Sequence, residues 1–131
     1  METKYNEATL NRPDGDRIID APFVFIDLKK YARQLKDEIG FKKNDRNSIT
    51  VYKTDGLTMV LTLMHNGAMI KDNIVEGLMT IQVIDGTIDC QLDINTIRLT
   101  EQQVITIHPG IIHSIQALGN SLLLITNRSE K

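Results

Sequence analysis

Tryptophan is absent from this 131-residue chain and aromatic residues make up only 5% of it, so any core must be aliphatic and thioether in character. A single cysteine, Cys90, excludes an intramolecular disulfide framework. It lies in "TIDCQLDI", which alternates like a strand and offers no basic neighbourhood to activate a thiol, so a buried, inert side chain is expected. No apolar run approaches the ~20 residues of a membrane span, and "LLLI" near the C-terminus reads as a buried strand. "METKYNEATLNRPDGDR" is polar throughout and lacks the apolar core of a secretory signal. A reducing, cytoplasmic setting is expected, with no membrane partner. Basic residues are scattered among acids, the net charge is −2, and Asp45 interrupts the densest basic stretch, "FKKNDR". A nucleic-acid-binding face is not expected. Phosphate-loop and dinucleotide glycine patterns are missing as well.

What is present is ordinary for one globular domain: 41% apolar and 24% charged residues, in a chain long enough to bury a core unaided. Residues 1–22 carry Pro13, Pro22 and the turn signal "PDGD", which predicts an arm lying on a surface or partly disordered. "FVFID" predicts a short edge strand. Leu28, Tyr31, Ala32, Leu35 and Ile39 recur at helical spacing, with Asp27 as N-cap and Gly40 at the C-terminal end. From residue 48 the period changes to two. "SITVYK", "LTMVLTLMH", "LMTIQVID", "TIDCQLDI", "TIRL", "QVITIH", "HSIQAL" and "SLLLITN" follow one another. Roughly eight short strands with frequent turn signals predict an all-β sandwich or barrel. Residues 1–44 are expected to form the arm, edge strand and docked helix, and residues 45–131 the barrel.

Two spacings carry a family resemblance. Gly67 is followed by five residues, then Asn73, Ile74 and Val75, three residues, Met79, six residues and Gly86. Further on, "IHPGIIH" places Gly110 and His113 behind His108. Both frames resemble the cupin motifs, a Gly-x5-His-x-His-x3,4-Glu-x6-Gly segment and a Pro-x-Gly-x-x-His segment. "LMHNG", "QVIDG" and "HSIQA" also resemble a subgroup of small bacterial cupins. The resemblance spans about residues 48–127 and implies an RmlC-like jelly roll, a double-stranded β-helix, which in many small members is a homodimer. It further implies that the positions of the family's metal ligands are taken here by Asn73, Val75, Met79 and His113. Val75 has no lone pair, a thioether is too soft for iron, manganese or zinc, and Asn73 offers one weak oxygen. Three or four protein ligands are the rule for such sites, so no metal and no other cofactor is expected.

Alternation assigns faces. His113, Ile115 and Ala117 share one face and Ser114 and Gln116 the other, so His113 is predicted to look into the barrel. Ile105 and Ile107 point inward together, which sends His108 outward. His65 shares a face with Leu57, Met59, Leu61 and Leu63; it enters the barrel if that face is interior and sits in the wall or rim otherwise. Asp72 and Glu76 are expected as solvated loop acids.

Two functional classes follow. The first is a metal-free binding module whose small, largely apolar ligand contacts His113, His65, Asn73, Val75, Met79, Ile81 and Ile115, in a barrel also lined by Leu61 and Val83, with His113 as its polar post. The alternative is a cupin enzyme. It would be an isomerase or lyase with His113 as general base beside Asn73, or a dioxygenase built on His113 and His65. Convergence of two ionisable side chains on interior faces separates the classes, and only His113 is placed there by the pattern.

Overall fold

The computed structural model describes residues 2–129. The N-terminal arm is more ordered than its composition suggests. Strands β1 (Lys4–Asn6) and β2 (Arg17–Asp20) pair antiparallel, and the turn between them carries Arg12 back towards the body of the protein. "FVFID", predicted as an edge strand, joins no sheet; Phe23 and Phe25 are 89% and 87% exposed. The expected helix is real but divided into α1 (Leu28–Asp37) and α2 (Ile39–Lys43). Asp27 caps the first, accepting from the Lys30 amide at 3.2 Å. Gly40, expected to end the helix, lies inside α2 instead.

The break falls on Glu38, whose backbone is extended (φ −72°, ψ 149°). Its carboxylate is held in a network that reaches Arg12 of the arm and Asn47. Arg12 Nε donates to both carboxylate oxygens at 3.0 Å, Gln34 Nε2 donates at 3.1 Å and Asn47 Nδ2 at 3.0 Å. The Glu38 side chain is only 8% exposed. Burial opposes its ionisation, but the hydrogen bonds from Arg12, Gln34 and Asn47 together outweigh burial and hold its carboxyl below the ordinary range.

The period-2 region forms two antiparallel sheets. Its strands are β3 (Arg46–Thr54), β4 (Leu57–Met64), β5 (Met69–Asn73), β6 (Leu78–Asp85), β7 (Ile88–Leu92), β8 (Asn95–Leu99), β9 (Val104–Ile107), β10 (His113–Ala117) and β11 (Ser121–Arg128). One sheet runs β3-β4-β11-β6-β9 and the other β5-β10-β7-β8. The pairs β7·β8, β6·β9, β5·β10 and β4·β11 are nested about the turn between β7 and β8. The chain is therefore one long antiparallel ribbon rolled up on itself, the double-stranded β-helix of a jelly roll. At the β6–β7 corner Gly86 adopts φ +93°, and an added Cβ would lie 2.6 Å from the Asn120 carbonyl, so only glycine fits.

Two apolar layers result. Inside the barrel, Met64, Met79, Ile81, Val83, Ile88, Cys90, Ile115, Leu123 and Ile125 pack together. Outside the larger sheet, Leu35 of α1 packs on Ile49, Val51, Leu61 and Leu122, with Met59, Leu63 and Leu124 beside them. Strands β4 and β11 are thus covered on both faces, which explains the unbroken apolar run "LLLI". Leu61, expected in the barrel lining, belongs to the outer layer beneath α1. Leu35 is fully buried, which is worth about 2 kcal/mol of apolar transfer and fixes α1 to the sheet. Among the described residues no helix is long and apolar enough to cross a membrane.

Candidate functional site

His108 and His113 flank the Pro109-Gly110 bend and part company there. His108 is exposed, whereas His113, the first residue of β10, is 1% exposed and faces inward. Its partner is the residue opposite it in the β5·β10 ladder, Asn73. Asn73 Nδ2 and His113 Nε2 lie 3.2 Å apart, and His113 Nδ1 lies 3.1 Å from the Ile111 carbonyl oxygen. The pattern fits the Nδ1–H tautomer: Nδ1 donates to Ile111 and Nε2 accepts from the Asn73 amide. Both ring nitrogens are satisfied.

Around this pair the wall is apolar. Val75 packs against the barrel core from the β5–β6 loop, and Met79 of β6 is 3% exposed. Deeper down, Ile81, Val83 and Ile115 are completely buried against one another. Ile81 and Ile115, expected to touch a ligand, are therefore enclosed by other core side chains, and the clefts lie nearer the mouth loops. The Gly110 amide donates to the Val75 carbonyl at 3.0 Å, tying the two mouth loops together. On either side of this tie lies a cleft. One of about 560 Å³ is lined by Asp72, Gln91, Ile111, Ile112, His113 and Ser114. The other, of about 390 Å³, is lined by Thr58, Val75, Glu76, Gly77, Asn127 and Arg128. Ile74, Ile111 and Ile112 stand exposed on the rim.

Asn127 is a member of this site that the strand pattern hid. In β11 it follows Leu123 and Ile125 on the inward face and stands opposite Met79 of β6 and Thr58 of β4. Its Oδ1 is buried and has no hydrogen-bond partner among the described residues. A desolvated amide oxygen without a donor costs roughly 1–3 kcal/mol, which a ligand donor would recover. The signal in the sequence was the alternation Leu123, Ile125, Asn127 once the inward face of β11 is known.

His65 is placed elsewhere. It follows β4 on the face of Leu61 and Leu63, and that face lies under the helices. Its ring stacks on Phe41 of α2, with centroids 3.7 Å apart and planes 6° from parallel, and Nε2 donates to the Phe41 carbonyl at 2.6 Å. It pins α2 to the sheet and does not meet His113, so the interior placement that His65 needed, as a ligand contact or in the alternative dioxygenase reading, is not the one adopted. The inward residues of β4 are Thr58, Val60, Thr62 and Met64. Asp72 is exposed, at φ +49°, with its amide donating to the Ser114 hydroxyl at 2.9 Å; Glu76 is exposed on the mouth loop.

The metal of metal-bearing cupins does not fit these residues. Asn73 turns its amide N–H towards His113 and occupies the ring nitrogen that would otherwise ligate. Val75 has no donor, and Met79 presents a thioether within an aliphatic cluster. Among the described residues no three His, Cys, Asp or Glu side chains come together in a set that would hold an ion. Cys90 is fully buried, and burial pushes its thiol up to about 11, which keeps it protonated at neutral pH.

No protein-family model matches the sequence, and a search of curated proteins finds no match. Solved structures do match. A cupin-2 domain containing protein from Shewanella frigidimarina superposes with a TM-score of 0.65 at 12% identity, over 79% of this chain and 93% of its own. A cupin superfamily protein from Desulfitobacterium hafniense gives 0.64 at 18% identity, over 66% of this chain and 80% of its own. KdgF from Halomonas sp. gives 0.61 at 20% identity, over 66% of this chain and 82% of its own. Likeness at this level of identity speaks for the fold, and together with the nested strand pairs it identifies the chain as a jelly-roll barrel with the cupin fold.

Proposed function

We propose that this protein binds a small, largely apolar ligand at the barrel mouth without a metal. The observation that carries this reading is the Asn73–His113 hydrogen bond, standing where the family's metal ligands converge, within a wall of Val75 and Met79. A ligand donor that replaces the Asn73 amide on His113 Nε2, or that reaches the unpartnered Asn127 Oδ1, would be oriented by one or two hydrogen bonds. Its apolar body would meet Val75 and the exposed rim residues Ile74, Ile111 and Ile112. Catalysis is the weaker reading, because general acid–base work needs a second positioned group and His65 lies on the far side of β4.

A thermal-shift screen of small molecules tests the proposal through paired variants. His113→Asn should lower stability by about 1–2 kcal/mol and abolish the shift produced by any hit. His108→Asn, on the exposed side of the bend, should leave the same hit intact. A hit that depends on His108 and ignores His113 would place the ligand outside the barrel and sink the proposal.

A further inference from the structure

We infer that a second site, outside the barrel, binds a small oxyanion (a carboxylate or phosphate group) between Arg12 and Arg17. Arg12 and Arg17 line one cleft of about 500 Å³ between the N-terminal hairpin, the end of α1 and β3, with Asn6, Asn11 and the two carboxylates Glu7 and Glu38 on its walls. Both guanidinium groups are held in place before any ligand arrives. Arg12 is fixed by Glu38 through Nε, and Arg12 Nη2 donates to the Ser48 carbonyl at 2.7 Å. Arg17 Nε donates to the Thr50 carbonyl at 2.8 Å and Nη1 to the Gly15 carbonyl at 2.8 Å. Each leaves one terminal nitrogen, Arg12 Nη1 and Arg17 Nη2, without an acceptor among the described residues.

Charge balance points the same way. The Glu38 carboxylate is engaged by Arg12, Gln34 and Asn47, so it has little left for Arg17. Burial, and then the charge of Arg12, lower the Arg17 pKa more than Tyr31 and Glu38 raise it. Glu7 is exposed and makes no ion pair among the described residues. Two immobilised forks with open N–H groups recognise planar or tetrahedral oxyanions through charge-assisted hydrogen bonds, and their fixed geometry spares the ordering cost of binding.

The test titrates inorganic phosphate, and separately acetate, into the full chain at constant ionic strength balanced with chloride, following the melting temperature and backbone amide shifts. A saturable response to either oxyanion, centred on residues 12–17 and absent with chloride, is expected. Arg17→Gln should weaken it about tenfold or more. Glu7→Gln, an exposed change that spares the fold, should strengthen it several-fold by removing a repelling carboxylate from the wall. Responses to phosphate and acetate no larger than to chloride, or ones that Arg17→Gln leaves intact or Glu7→Gln leaves unchanged, would overturn the inference.

Discussion

Gly77→Ala should be among the most damaging single-methyl changes in this protein. Gly77 is buried where the β5–β6 loop enters β6, against the end of β11. A Cβ there would overlap the Arg128 carbonyl oxygen and lie 2.5 Å from its carbon, and both are backbone atoms that no rotamer change can move. Relief requires separating β6 from β11 at the mouth, where the Leu78–Arg128 pair closes the ladder next to Met79–Asn127. The expected loss is about 3 kcal/mol, at the upper end of overpacking costs. The same separation removes Val75 and Asn127 from their places, so ligand binding should fall with stability. A chemical-denaturation midpoint for Gly77→Ala within error of the wild type would show that the mouth is looser than described.

The second large effect is at Arg12, which holds Glu38 at the break between α1 and α2. Removing one partner of a largely desolvated pair leaves the other charge poorly compensated. Arg12 is 21% exposed and Glu38 8%, so the full cost of a deeply buried pair is softened and Arg12→Ala should lose about 2 kcal/mol at neutral pH. The pH dependence has a definite sign. The Glu38 carboxyl is held below its ordinary range, so its contribution is present above the unfolded-state value, near 4.5, and is lost as pH falls through the lower folded-state value. In Arg12→Ala the leading lowering hydrogen bond and the Arg12 charge are gone, leaving only Gln34 and Asn47 to oppose burial, so that contribution shrinks. The gap between wild type and variant should be widest near neutral pH and close as Glu38 protonates in acid. Urea unfolding across that range checks it, and a gap independent of pH would assign the loss to packing alone.

Much of the barrel was legible in the sequence because period-2 alternation, glycine turns and motif spacing all agree from residue 48 onward. What escaped did so for physical reasons. β5 is an edge strand whose residues, Met69, Lys71 and Asp72 among them, are mostly exposed, so "MIKDN" lacks the apolar alternation that marks a strand. β4 is covered on both faces, so both of its residue sets are apolar and alternation alone does not say which is inside. Leu61 and His65 fell to the helix side for that reason, and only the docking of α1 and α2 decides it. The break at Glu38 depends on Arg12, 26 residues away, and no local helix signal reports it. Asn73 and His113 were legible from the motif frame, but their direct hydrogen bond, and the unpartnered oxygen of Asn127, required the strand register.

We propose that a hydrogen-bonded Asn73–His113 pair in an apolar wall stands where a metal centre would. Elemental analysis of the protein purified without added metal or chelator, then dialysed, tests it most directly. Iron, manganese, nickel and zinc should each fall far below one atom per chain, in the wild type and in His113→Ala alike. A stoichiometric metal that survives dialysis in the wild type and is lost in His113→Ala would contradict the claim.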